Sequence, residues 1–150
     1  MSRVMDYLYD ECGLDNVILA DFPVQIDDAG EEVVTIPNIN LLHRVLIAEV
    51  ARKQGGLKPK EIRFLRSEMG LSQAELAELV GKDGQTAGRW ERGETPIDRA
   101  SEIVIRRKAM EHVGANDTPI DELSRRSVYT VTETPIRIQA DDPHNYRPAA

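Results

Sequence analysis

The chain has 150 residues, enough for one ordinary domain or two small modules. With 41% hydrophobic and 30% charged residues it is expected to be globular and water-soluble, which excludes a chain disordered throughout. The formal charge of -7 argues against a uniformly basic nucleic-acid-coating protein, but the charge is uneven: residues 1–56 sum to -6, residues 57–112 to +1 and residues 113–150 to -2. Local rather than total charge decides where a phosphate backbone docks, so the middle third escapes the acidic bias.

At the N-terminus, MSRVMDYLYDEC carries early acids and lacks the apolar stretch of a signal peptide. No run approaches the roughly 18 apolar residues of a membrane span. A single cysteine, Cys12, can form no internal disulfide. A cytoplasmic protein without membrane contact is expected. Residues 14–36 alternate in places, with the turn-rich Asp27-Asp28-Ala29-Gly30 between two apolar runs, and this predicts two strands joined as a hairpin. After Pro37-Asn38, INLLHRVLIAEVARK has helical periodicity through Leu42, Val45, Leu46 and Val50. Gln54-Gly55-Gly56 ends that helix as a short flexible joint. Residues 1–54 are thus expected to form a hairpin-plus-helix module held by Leu14, Val17, Ile36, Leu42 and Leu46.

A second module is expected over residues 57–112. Pro59 suits the first turn of a helix, where a missing N–H costs nothing, and Ile62, Leu65 and Met69 form its stripe up to Gly70. In LSQAELAELVG, Ser72 and Glu75 have the spacing of a capping box, with Leu76, Ala77 and Val80 as the buried face. Asp83 caps a third, short helix that ends at Gly93, and DRASEIVIRRKAMEH is a fourth, with Ile103 and Met110 in the core. The third helix is a poor one. Gly84 and Gly88 each cost about 1 kcal/mol relative to alanine, and the segment is too short to nucleate alone. Packing must hold it, through Ala87 and Trp90, and the opposite face then carries Gln85, Arg89 and Arg92. One amide and two guanidiniums in a row suit base edges and phosphates. The tail, residues 113–150, is expected to be partly extended or disordered; its run SVYTVTETPIRI is strand-like but marginal in isolation, and so either loosely ordered or docked on a partner.

Three short helices with a tight link between the second and third describe a helix-turn-helix. The segment LRSEMGLSQAELAELVGKDGQTAGRWERGE resembles the DNA-binding domain of the lambda-repressor/Cro-like (XRE) regulators, over roughly residues 59–112. The resemblance implies a mainly α fold, an XRE-type helix-turn-helix bundle preceded by the small β-hairpin-plus-helix module. It implies a phosphate contact at Gln73. It places Lys82, Gly84, Gln85, Thr86 and Arg89 at base-reading and adjoining positions, and Arg92, Glu94 and Thr95 in a phosphate-touching loop. Arg66 and Glu91 match a structural salt bridge, so Arg66 is not counted as a DNA contact, and Trp90 is structural. Gly84, Gly88 and Ala87 depart from the larger side chains common in relatives, which shifts weight to indirect readout.

The order Cys-Gly-Leu-x-Asn-Val, a hairpin, Ile-Pro-x-x-x-x-Leu-His-Arg and then a helix-turn-helix is similar to antitoxins of the MqsA type. That resemblance implies a homodimeric repressor on a palindromic operator of double-stranded DNA, with a toxin protein as partner and autoregulation of the operon. The metal site of those antitoxins is degenerate here: Cys12, His43, His112 and His144 occur without a C-x-x-C pair, so no metal or other cofactor is expected. Cys12 reads instead as a buried small residue at the hairpin base, and His43 as a surface or packing residue. The competing reading is a protein-binding adaptor whose helix-turn-helix does not read DNA. No Gly-rich phosphate loop, nucleophile elbow or zinc-protease helix is present in the sequence, and the chain is not expected to be an enzyme.

Overall fold

The computed structural model describes residues 2–128 and 134–149. Six helices and five short strands occur among them, a small sheet with the N-terminal region and a helical bundle after it. The chain divides into two compact units, and the division falls within the first helix. One unit takes the described residues up to Leu46 and those from Thr134 onward; the other runs from Ile47 to Val128. No helix among the described residues is long and apolar enough to cross a membrane.

The first unit is built on β2 (Val17–Ile26). Strand β1 (Ser2–Leu8) pairs with it antiparallel, Ser2 opposite Gln25 and Leu8 opposite Ile18, with a register slip between Met5 and Tyr7. The slip has a visible cause and consequence. Asp21 takes a positive φ of 54°, which a short polar side chain tolerates, and its amide donates to Asp6 Oδ1 at 3.4 Å. The extra residue flips the strand's parity: Val17 and Leu19 are buried before it, Phe22 and Val24 after it. The expected hairpin is present. Asp27 Oδ1 accepts from the amides of Ala29 and Glu31 at 3.0 and 2.8 Å, and β3 (Glu32–Val33) returns against β2 at Ile26 and Gln25. Leu14, Val17, Leu42 and Leu46 are buried as expected, while Ile36 is half-buried. Cys12 is half-buried with its Sγ 3.9 Å from the Tyr9 carbonyl, and His43 Nε2 lies 2.6 Å from the Tyr9 hydroxyl.

The described part of the tail carries two short strands and a helix. Residues 129–133 of the strand-like run lie outside the described residues, but β4 (Ile136–Gln139) adds to β2 in parallel, Val17 opposite Ile136 and Ala20 opposite Gln139. Strand β5 (Arg147–Pro148) closes back on β4. Ile138, Ala140 and Tyr146 are buried, the Tyr146 hydroxyl donates to the Pro37 carbonyl at 2.6 Å, and Gln139 Nε2 reaches Asp21 Oδ2 at 2.6 Å. A strand that would be marginal alone thus finds its partner within the same chain.

The helical unit contains the end of α1 (Ile39–Arg52), then α2 (Pro59–Glu68), α3 (Gln73–Leu79), α4 (Gly84–Glu91), α5 (Arg99–Val113) and α6 (Ile120–Arg126). Its core is Ile62, Phe64, Leu65, Leu76, Ala77, Ala87, Trp90, Ile105, Ala109, Met110 and Leu123; Met69, Val80 and Ile103, expected there, are only half-buried. The joint at residues 54–56 is not a free linker. Arg106, fully buried, donates from Nη1 to the carbonyls of Ala51 and Lys53 at 3.3 and 2.7 Å and from Nη2 to that of Gly55. Arg126 Nη1 donates to the Arg52 carbonyl at 2.6 Å, and the Gly55 amide donates to the Arg126 carbonyl at 2.9 Å. A helix C-terminus leaves carbonyls without intrahelical partners, and here two guanidiniums satisfy them. The tail contributes α6 to this bundle, so residues 113–150 are split between the two units.

Candidate nucleic-acid interface

Two helices and a four-residue link build the candidate surface. Helix α3 starts at a complete capping box: the Ser72 hydroxyl accepts from the Glu75 amide and Glu75 Oε1 from the Ser72 amide, each at 3.0 Å. Val80 to Asp83 then turn the chain, with Gly81 at φ 72° and the Lys82 amide donating to the Ala77 carbonyl at 2.8 Å. Helix α4 starts at Asp83, whose Oδ1 accepts from the Thr86 amide at 2.8 Å and from the Thr86 hydroxyl at 2.9 Å. Asp83 therefore caps the helix, and the Thr86 hydroxyl is turned toward its own cap. Glu75 and Asp83 are held below their ordinary carboxyl values of 4.5 and 3.8, by the Ser72 and Thr86 backbone amides first of all. A depressed folded value means that the stabilisation is complete above the unfolded value and is lost as pH falls through the lower folded one. Acid titration followed by helical circular dichroism is expected to show this loss beginning below about pH 4.5, and Asp83→Asn with Glu75→Gln to flatten it.

Burial sorts the faces of α4. Ala87 and Trp90 are 0% and 3% exposed, while Gln85, Arg89 and Arg92 are on the solvent side. Lys82 and Thr95, which flank the helix, are also exposed; Thr86 and Gly84 are half-buried. Gln73, at the first turn of α3, is half-buried with its Nε2 3.3 Å from Glu91 Oε1. Glu91 in turn holds Arg66 in a fork, Nε to Oε2 at 2.6 Å and Nη2 to Oε1 at 3.0 Å, and Arg66 Nη1 donates to the Leu71 carbonyl at 2.9 Å. Arg66 is thereby committed to tying α2, the loop before α3 and α4 together. A shallow surface depression is lined by Gln73, Ala74, Asp83, Gly84, Gln85, Gly88, Arg89 and Arg92, so most of the expected site residues converge; Lys82, Thr86 and Thr95 lie outside it.

The two glycines that weaken α4 both line this depression, and their missing side chains matter in different ways. A Cβ at Gly84 would stand 3.3 Å from Ala74 Cα, so the absent side chain lets the backbones of α3 and α4 approach. A Cβ at Gly88 would meet Arg92 Nη1 at 2.9 Å and Gln73 Oε1 at 3.2 Å, the ends of two flexible side chains. Gly88→Ala is accordingly expected to raise stability by up to about 1 kcal/mol, because Arg92 swings aside and the helix gains propensity. Gly84→Ala is expected to gain nothing, since backbone must move to admit it. Paired urea melts of the two variants check the contrast.

Arg92, expected in a phosphate-touching loop, is paired within the chain. It ends α4, its guanidinium crosses Gly88, and it forks onto Glu94, Nε to Oε1 at 2.9 Å and Nη2 to Oε2 at 3.3 Å. The Arg-Gly-Glu order, with Gly93 at φ 73° reversing the chain, was the available signal for this pairing.

Residues 62–100 match the family model described as Helix-turn-helix. No curated protein and no solved structure matches the chain. The match and the short helices α2, α3 and α4 make residues 62–100 a helix-turn-helix segment. The match supports a DNA-binding transcription regulator of the XRE type, and that family is a regulatory rather than an enzymatic one.

Proposed function

We propose that the chain is a sequence-specific repressor that binds a palindromic operator as a homodimer and serves as the antitoxin of a type II toxin-antitoxin pair, repressing its own operon. One observation carries the DNA-reading part: α4 buries Trp90 and Ala87 and turns Gln85 and Arg89 outward. Laid in the major groove, Gln85 matches adenine and Arg89 matches guanine, each by a bidentate pair. Gln73, Lys82, Arg92 and Thr95 surround α4 with groups that suit phosphate, and Gly84 and Thr86 let the start of α4 come close to the backbone. Two copies would set their recognition helices about 34 Å apart, one turn of the duplex.

The antitoxin part is supported by the resemblance of the N-terminal module and by its charge. Residues 1–46 and 134–150 hold 4 basic and 11 acidic side chains, whereas residues 47–133 hold 15 of each. The whole net charge of -7 thus falls to the first unit. An acidic surface speeds and selects association with a basic protein, and repels DNA. The same acidity favours the second reading, a protein-binding adaptor; co-purification of a partner with no duplex binding at low salt would select it.

A gel-shift assay on the DNA upstream of the chain's own gene, at two salt concentrations, tests the repressor. Binding is expected to weaken steeply with salt as phosphate contacts release counterions. Arg89→Ala is expected to cost about 1–3 kcal/mol on the preferred site and much less on unrelated duplex. Equal losses on both would remove Arg89 from base reading.

A further inference from the structure

We infer that Glu94 is an intramolecular competitor of the DNA backbone, a carboxylate that holds the Arg92 guanidinium closed over Gly88 until a phosphate displaces it. The inference rests on the DNA-binding reading, and assigns to Glu94 a control over affinity that its place in the loop does not by itself imply. Its observations are geometric. Both carboxylate oxygens of Glu94 are engaged by Arg92, in the planar two-bond fork that a phosphate would otherwise accept. The carboxylate is carried into place by the backbone: Gly93 takes φ 73°, and the Glu94 amide donates to the Arg89 carbonyl at 2.9 Å. The guanidinium is accommodated by the missing side chain at Gly88, where a Cβ would stand 2.9 Å from Nη1. Both side chains are more than half exposed, 56% for Arg92 and 53% for Glu94, so the pair is open to exchange with an outside anion. The pairing keeps Glu94 below its ordinary value, chiefly through the hydrogen bond from Arg92, so the carboxylate is charged at neutral pH.

An exposed ion pair of this kind is weak and screened by salt, which is the property a displaceable latch needs. A DNA phosphate approaching Arg92 must break the fork and also lies against the freed negative charge. Glu94 therefore lowers affinity for any duplex, without regard to sequence. Specific sites, which gain base contacts at Gln85 and Arg89, overcome it more readily than random DNA does.

The test uses the full chain and a mixed-sequence duplex of about 30 base pairs across a salt series. Glu94→Gln keeps the shape and removes the charge; it is expected to bind about threefold to tenfold tighter near 0.1 M salt, with a salt slope steeper by about 0.9, one added phosphate contact. In an Arg92→Ala background the gain is expected to shrink to the small part that charge repulsion alone supplies. An unchanged or weakened affinity for Glu94→Gln overturns the inference, and so does an equal gain without Arg92, which would make Glu94 a plain repulsive charge. A second measurement needs no DNA: inorganic phosphate is titrated against the Arg92 Nε–H resonance. In Glu94→Gln the resonance is expected to shift at several-fold lower phosphate than in the parent chain. Equal phosphate sensitivity of the two proteins removes the latch whatever the duplex does. Greater sensitivity in Glu94→Gln, with no duplex binding by either protein, keeps the latch and discards the DNA-binding reading.

Discussion

Arg106→Met is expected to destabilise the helical unit by about 3–5 kcal/mol, the cost of breaking a buried charged arrangement at one partner. Arg106 is fully buried, and its guanidinium serves the carbonyls of Ala51, Lys53 and Gly55. Methionine has similar length but donates nothing, so those carbonyls lose a partner. The carboxylate of Glu102, 4% exposed and with Oε2 3.4 Å from Arg106 Nη2, is left without its counter-charge. Burial pushes Arg106 below its ordinary value while the Glu102 and Glu61 carboxylates pull it back, so the pair persists only as a pair. Adding Glu102→Gln is expected to recover part of the loss: the glutamine oxygen still accepts from the Leu57 amide, now 2.7 Å from Oε1, and the orphan charge is gone. Urea unfolding followed by the fluorescence of Trp90, the single tryptophan, reports on this unit. A loss below about 1 kcal/mol would mean that Arg106 is not what holds the end of α1 to α5.

Arg106 also shows where reading the sequence stops. The inward stripe of α5 contains Glu102, Ile105, Arg106, Ala109 and Met110, all buried. A pattern search for apolar residues passes over the two charged members, because a charge normally marks the solvent face. The signal was present as an i, i+4 Glu–Arg pair inside an otherwise apolar stripe. The same blindness made residues 54–56 read as a loose joint, since glycines do not reveal which side chains will serve their carbonyls.

The helix-turn-helix was legible because its determinants are local. The Ser72–Glu75 box, the Asp83 cap and the positive-φ glycines at 70, 81 and 93 all act within a few residues of themselves. The inward direction of Trp90 follows from helical period, and so does the outward direction of Gln85 and Arg89. The sheet was legible only at its hairpin. β4 pairs with β2 in parallel across more than 100 residues of chain, as Ile18 opposite Arg137 shows, and no local pattern encodes such a partner. β1 was missed because its alternation puts Val4 and Leu8 outward, 64% and 53% exposed, so its apolar residues do not point to the core. In α6, seven residues with Leu123 alone buried, there are too few positions for a helical period to appear.

Trp90→Ala is expected to cost about 3–5 kcal/mol and to abolish duplex binding altogether, more than any single change on the exposed face does. Helix α4 has eight residues, two of them glycine, far below the roughly 12–15 at which an isolated helix becomes even marginal. Its cap at Asp83 and its side-chain ties through Glu91 fix its two ends, but the indole, 3% exposed, is the largest side chain on its inner face. Ala87 is too small to compensate. Without the indole, α4 should open locally, so the variant's amides from residue 84 to 91 are expected to lose hydrogen-exchange protection before those of α5. Trp90→Phe refills part of the space and should lose about half as much. The decisive comparison is non-additive. Under the proposed DNA-reading role, Arg89→Ala is expected to weaken binding in the parent chain through loss of one base contact, but in the Trp90→Ala background it should change nothing, since there is no ordered helix left to present the guanidinium. If Trp90→Ala binds duplex normally, or if Arg89→Ala still has its full effect in that background, then α4 is held by something other than the indole and its outward row is not the surface that meets DNA.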